Sequence, residues 1–219
     1  MTSLTDARRR TVDELKDTRV IRALFDETLD RDAYIRYLTN VYYYAQFSPR
    51  LMATAAARCM STHRELATYL LHHAEEEMGH ELWALEDLRD LGVSEYEARA
   101  ARPVPSCDAM VGYVHYIADH GNPIGLFGWM YVLEGVGSDF GIVAAERLKQ
   151  ALGEAASAVR FVEQHGINDA DHADDLAQQI DRYLILDDDR ATVTHVADVV
   201  RDLYLRMFRE IGGEEPRWK

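Results

Sequence analysis

The chain contains few of the residues that build disulfide-stapled, zinc-binding or membrane-spanning proteins. Only two of its 219 residues are cysteine, Cys59 and Cys107, and they form no Cys-x-x-Cys pair. A disulfide scaffold and a four-cysteine zinc site are therefore excluded. No apolar run approaches the ~20 residues that a membrane span needs, and the first residues contain no apolar signal core. These absences predict a soluble, cytoplasmic protein with no membrane partner.

Basic residues are also scarce. The chain has 24 Lys and Arg residues against 38 Asp and Glu residues, which gives a formal net charge of −14. Such an acidic chain is a poor partner for nucleic acid or anionic lipid, because long-range attraction to phosphate needs positive charge. Hydrophobic residues make up 47% of the chain, an ordinary globular value. We expect one domain over residues 1–219.

Proline and glycine, which break helices, number only 5 and 13. Helix-forming residues dominate and strand-type alternation is nearly absent, so the sequence predicts an all-α fold. Pro49 is expected to kink a helix over residues 31–60. The other predicted helices lie roughly over residues 3–29, 62–91, 106–120, 123–153, 155–184 and 187–212, with a short helix within 93–105.

The first candidate metal motif is HGINDADH. His165, Asp169 and His172 stand at positions i, i+4 and i+7. Since a helix turns about 100° per residue, the three side chains project within about 60° of one another. Two imidazoles and a carboxylate on one stripe suit a divalent transition metal. The alternative is a solvated polar face, because the segment carries further aspartates.

The second candidate motif is LLHHAEEEMGHELW. Relative to His80, Glu77 lies at i−3, Glu76 at i−4 and His73 at i−7, all within one broad helical stripe. Glu-x-x-His is the pairing that di-iron and di-manganese bundles use repeatedly. Glu76 is the alternative to Glu77 as the ligand, and a run of surface glutamates is the alternative to a metal site.

The third signal is a single carboxylate, Glu134, in the apolar segment GLFGWMYVLEGVG. Burial of an unpaired charge is costly, so this carboxylate needs a cation, a hydrogen-bond network or a proton. A structural hydrogen bond is the alternative to a metal. Six N and O ligands from three helices suit two iron or manganese ions, with positions left open for oxygen and substrate. The predicted ligands are Glu77, His80, Glu134, His165, Asp169 and His172.

In this combination the sequence resembles the haem-oxygenase-like di-metal oxidases and oxygenases, also called iron-containing redox enzymes. The resemblance rests on three blocks in the family's order, EEEMGHELW, YVLEG and HGINDADH. A fourth segment, RYLTNVYYYAQFSPRLM, resembles the family's second helix, which lines the substrate pocket. The resemblance covers about residues 30–185.

The resemblance implies a haem-oxygenase-like bundle of seven to eight helices. It also implies two Fe(II) ions and no haem, O2 as co-substrate, and Glu77 and Glu134 as catalytic carboxylates; manganese would bind the same ligands. The expected reaction is oxidation of a small carboxylate-bearing substrate, an amino acid or a fatty acid, by C–C cleavage, desaturation or N-oxygenation. An external electron donor and a homodimer are compatible with this interpretation.

The predicted substrate pocket combines aromatic residues with one cation. Arg50 follows Ser48-Pro49, where a kink could aim its guanidinium inward to bind a substrate carboxylate bidentately. The alternatives are ordinary core packing for the aromatic residues and a surface position for Arg50. The predicted substrate-binding residues are Tyr43, Phe47, Arg50, Trp129 and Met130.

Three rival functions share the helical pattern. A true haem oxygenase binds haem through a histidine of its first helix, but the first histidine here is His63. Cofactorless relatives, thiaminase-II-like hydrolases and the quinone-cofactor synthase, do not need six metal ligands. A non-enzymatic helical scaffold gives no reason for Glu134 in an apolar helix.

Overall fold

The computed structural model describes residues 4–214, without the side chains of residues 7, 154 and 169–171. This part of the chain is all-α and contains no strand, as predicted. Short 3-10 turns lie at Pro123–Gly125 and Gly153–Ala155. The α-helices are α1 (Leu4–Lys16), α2 (Arg19–Phe25), α3 (Arg31–Ala45), α4 (Ser48–Cys59), α5 (Arg64–Glu76), α6 (His80–Asp90), α7 (Glu95–Ala100), α8 (Pro105–Asp119), α9 (Leu126–Leu152), α10 (Arg160–Tyr183) and α11 (Asp187–Ile211).

The helices of residues 4–214 are more numerous than the predicted seven to eight, because three predicted helices are each divided in two. Pro49 does not kink a continuous helix; it lies in the first turn of α4, where a missing backbone N–H is tolerated. Gly79 separates α5 from α6 with a φ of 95°. Only glycine adopts this left-handed conformation without strain.

Helix α9 forms the centre of the bundle. It packs against α10, α11 and α1, and its first half is buried on every side, with Phe127, Trp129 and Met130 at most 2% exposed. A helix that is apolar all round is a core helix. This position is what buries Glu134. In the described part of the chain, no helix has the length and hydropathy that a bilayer span requires.

The backbones of α9 and α10 touch where two glycines face each other. A Cβ atom added to Gly166 would lie 2.6 Å from the nitrogen of Ile142, and one added to Gly141 would lie 2.4 Å from the Cα of Gly166. Contacts this short do not occur, so neither position accepts a side chain without movement of a helix. Helix α10 runs unbroken through Gly166. Because the two backbones are in contact at this point, His165 is held close to α9.

Candidate metal centre

One set of ligands comes from the α5–α6 junction and from α10. A ligand atom from each of Glu77, His80 and His165 lies within 4.8 Å of the others. Glu77 directly follows α5 as its C-cap and His80 begins α6, and the left-handed turn at Gly79 lets their side chains meet across the break. His80 Nδ1 donates to Glu77 Oε1 at 3.0 Å. We call Glu77, His80 and His165 the first cluster.

A hydrogen bond and ring contacts fix the orientation of the two imidazoles in the first cluster. His165 Nδ1 donates to the carbonyl oxygen of Phe161 at 3.0 Å, which leaves Nε2 as the atom available to a metal. The His165 ring also stacks on Phe161, and the His80 ring stacks on Trp83, each with centroids 4.1 Å apart. These packed rings hold the donors in place before any ion binds.

A second cluster lies where α5, α9 and α10 meet, and we define it as His73, Glu134 and His172. His73 Nε2 lies 3.1 Å from Glu134 Oε1, and the rings of His73 and His172 are 4.8 Å apart. Glu76 borders this cluster: one carboxylate oxygen lies 3.7 Å from His73 Nδ1 and 3.9 Å from His172 Nε2.

Buried polar atoms of the second cluster lack hydrogen bonds. Among the described residues, neither carboxylate oxygen of Glu134 nor Nδ1 of His172 has a hydrogen-bond partner; His73 approaches Glu134 closely but without hydrogen-bond geometry. Unsatisfied buried groups of this kind cost roughly 1–3 kcal/mol each. A divalent cation would satisfy them, and the imidazole and carboxylate donors suit iron or manganese. The first cluster therefore fits a metal ion by its spacing, and the second fits one by its donor types.

Burial and neighbouring charges set the protonation of the clusters. Burial lowers the pKa of His165 and so favours the neutral imidazole, which is the metal-binding form. Burial alone would raise the pKa of Glu77, but the hydrogen bond with His80 and the electrostatic interactions with the neighbouring histidines outweigh it, and the pKa of Glu77 is lowered. Burial opposes the charging of His73, but its interaction with Glu134 outweighs burial and raises its pKa.

The structure brings together five of the six predicted ligands, and the side chain of the sixth, Asp169, lies outside the described residues. Glu77 belongs to the first cluster, whereas Glu76 is 40% exposed and stands at the edge of the second. In the sequence, His73 was placed on the same stripe as His80, but it was not included among the predicted ligands.

Both clusters face an apolar cavity of about 140 Å³. His73, Glu77, Glu134 and His165 form its polar end. Side chains of α1, α2, α3, α4, α9, α10 and α11 form the remainder, mostly leucine, valine, alanine and aromatic residues. Within the described part of the chain, no lysine or arginine is among the lining residues.

The predicted substrate-binding residues divide into two groups. Trp129 and Met130 line the cavity. Tyr43 and Phe47 do not: the Tyr43 hydroxyl donates to Asp108 at 2.6 Å, and Phe47 packs edge-on against Tyr43. Helix α3 instead faces the cavity with other residues of its tyrosine-rich segment, namely Tyr34, Tyr37 and Tyr44.

The predicted inward orientation of Arg50 is wrong. Arg50 is exposed and is not a lining residue of the cavity. Because Pro49 starts a new helix, Ser48 and Met52 take the inward face of α4 and line the cavity, while Arg50 projects to the outer face.

Asp87, a buried carboxylate of α6, anchors the start of α10. It is 0% exposed and accepts hydrogen bonds from the backbone nitrogens of Arg160 and Phe161 at 3.0 and 2.9 Å. Burial raises its pKa to about 6, although these bonds oppose the shift. Since α6 begins with His80 and α10 carries His165, Asp87 fixes the relative position of two first-cluster ligands.

Asp87→Ala is expected to destabilise the fold by about 2–3 kcal/mol, because it leaves backbone N–H groups of α10 buried without an acceptor. Urea unfolding followed by circular dichroism measures the loss. Asp90→Ala is the matched control: Asp90 binds the same guanidinium of Arg160 at 2.7 Å but is partly exposed, and such pairs contribute about 0–1 kcal/mol. Equal losses in the two variants would contradict the anchoring role.

Comparison with known proteins agrees with this description. Residues 35–205 match the sequence model of a family described as iron-containing redox enzymes. A search of curated proteins found no match.

Solved structures show the same fold. A domain of unknown function with a heme oxygenase-like fold from Shewanella denitrificans has a TM-score of 0.81 and 21% identity, over 94% of this chain and 89% of that chain. A TenA homologue from Pseudomonas syringae has a TM-score of 0.75 and 14% identity, over 94% and 91% of the two chains. A TenA homologue from Pyrococcus furiosus has a TM-score of 0.71 and 14% identity, over 95% of this chain and 97% of that chain. These likenesses confirm the predicted haem-oxygenase-like fold.

Proposed function

Because the chain belongs to the family of iron-containing redox enzymes, we propose that it is a non-haem di-metal oxidase or oxygenase. It uses O2 to oxidise a small substrate that has a carboxylate and an apolar body. The observation that carries the proposal is the pair of ligand clusters at the polar end of one apolar cavity, with Glu134 buried and unsatisfied between hydrophobic walls.

The two clusters would hold one ion each. Glu77, His80 and His165 would bind the first ion. Glu134 and His172 would bind the second, and the His-x-x-x-Asp-x-x-His spacing supports Asp169 as a further ligand. Bound iron would supply the electrons for reaction with O2, and manganese would fit the same donors. The protein's own contribution is to orient these donors and to keep water away from the reacting atoms.

The cavity favours a short-chain fatty acid over an amino acid, because its 140 Å³ is close to the volume of about 150 Å³ that holds a benzene molecule. An amino acid carries an ammonium and a carboxylate, and burial of either charge without a partner is costly. The described lining contains no lysine or arginine for the carboxylate, and its carboxylates, Glu77 and Glu134, serve the metal clusters. An aliphatic chain instead gains by burial against such walls, at about 0.8 kcal/mol for each CH2 group. Its carboxylate would then lie at the metal end.

Anaerobic loading with Fe(II), followed by exposure to O2, tests the proposal. We expect about two iron ions per chain, as bundle di-metal sites hold, and O2 consumption that short-chain fatty acids accelerate most. Amino acids should have little effect. If the chain binds no iron, or consumes no O2 with any carboxylic acid, the proposal is contradicted. Such a result would favour cofactorless hydrolysis of the thiaminase-II type.

A further inference from the structure

We propose that His73 is a ligand of the second metal ion and that Glu76, which is not a ligand, orients His73 and His172 together. The second ion would then be held mainly by imidazole nitrogen, in contrast to an all-carboxylate site. This inference rests on the proposed di-metal function and deepens it.

Burial and contacts place His73 in the site. Its side chain is 2% exposed, it lines the cavity, and its Nε2 atom lies 3.1 Å from Glu134 Oε1. The ring of Tyr69 stacks on the ring of His73, with the two centroids 5.7 Å apart. A buried imidazole beside an unsatisfied carboxylate therefore offers a nitrogen to the same ion that Glu134 would bind.

The pattern of free nitrogen atoms indicates which atoms would coordinate. His172 Nδ1 is buried without a hydrogen bond, while His172 Nε2 faces Glu76 at 3.9 Å. His73 has the reverse arrangement, because its Nδ1 faces Glu76 at 3.7 Å and its Nε2 faces Glu134. One carboxylate oxygen of Glu76 thus lies near the outer nitrogen of both rings, slightly beyond hydrogen-bond distance, and leaves the inner nitrogens for the metal.

A carboxylate in this position is typical of histidine-ligated metal sites. The ring N–H that does not face the metal usually meets a carboxylate or carbonyl, which fixes the tautomer and raises the basicity of the ligand. Glu76 is 40% exposed, as expected of an outer partner and not of a ligand. This division assigns distinct roles to the two neighbouring glutamates: Glu77 binds the first ion, and Glu76 orients the ligands of the second.

Metal preference should follow from the donor set. Imidazole favours iron and cobalt over manganese more strongly than carboxylate does. We expect the second site to prefer Fe(II) or Co(II) to Mn(II). His73→Glu should keep a ligand at this position and shift the relative affinity of the second site towards Mn(II).

Co(II) titration of the full chain, followed by paramagnetic proton NMR, tests the inference directly. A coordinating histidine gives one shifted, exchangeable imidazole N–H signal. Wild type should show one such signal for each of His73, His80, His165 and His172. His73→Ala should show one signal fewer and should weaken the second metal site by about 100-fold or more, with Glu76→Gln weakening it by about 10–100-fold.

His72→Ala is the matched control, since His72 is 71% exposed and also lies near Glu76, at 3.4 Å. It should leave both sites unchanged. The inference fails if wild type lacks the fourth signal, a result that does not depend on whether any variant folds. It also fails if His73→Ala keeps wild-type affinity at both sites. If wild type binds no second ion, the proposed function itself fails, so the two failures are distinguishable.

Discussion

Replacement of Glu134 by alanine is expected to abolish O2 consumption and uptake of the second metal ion while the helical bundle stays folded. Glu134 is 8% exposed, and neither of its oxygens has a hydrogen-bond partner among the described residues. In the metal-free fold, removal of the carboxylate costs only its contact with His73. The second ion, in contrast, loses an anionic ligand. We expect its affinity to fall by more than about 100-fold, because even residues that only contact the ligands contribute about 10–100-fold.

Metal analysis, stopped-flow O2 consumption and the thermal shift on adding Fe(II) measure this outcome. Since a bound ion stabilises only the folded state, Glu134→Ala should show a smaller metal-induced rise in Tm than wild type. Glu146→Ala removes an exposed carboxylate from the same helix and should behave as wild type. A Glu134→Ala protein that still binds both ions and consumes O2 would exclude Glu134 as a ligand.

Ala144→Phe is expected to restrict the enzyme to shorter substrates by filling part of the cavity. Ala144 lines the cavity on α9, ten residues beyond Glu134, or about 15 Å along the helix at 1.5 Å per residue. A phenyl ring there would take up space that a longer aliphatic chain needs, while Glu134 and the second cluster lie more than two turns away along α9. Stimulation by the longest of the active fatty acids should fall by about 100-fold, while the shortest active chain keeps its effect; excess volume in a core typically costs about 1–3 kcal/mol.

KM and kcat measured across a series of chain lengths test this expectation. Val143→Phe is the control, because Val143 is the neighbouring residue on α9 but is 45% exposed and does not line the cavity. An equal loss for every chain length in Ala144→Phe would indicate general damage to the fold. Unchanged use of long chains would place the substrate elsewhere.

The sequence by itself determined the all-α class and the faces on which the ligand motifs lie. Helical periodicity is a local property, so His165 and His172 were known to share a stripe before any neighbour was known. The isolation of Glu134 in an apolar segment indicated its burial for the same reason, since a helix that is apolar all round must lie in a core. The resemblance to a known family supplied the fold that the structure confirmed.

Only the tertiary structure decided which faces meet. His73 and Glu134 are 61 residues apart and come into contact because α9 passes through the centre of the bundle. Arg50 projects outward because Pro49 starts a helix where the sequence suggested a kink. The contact between Gly141 and Gly166 sets how closely α10 approaches the site. Periodicity specifies directions on one helix, but the rotation and separation of two helices follow from packing between residues distant in sequence.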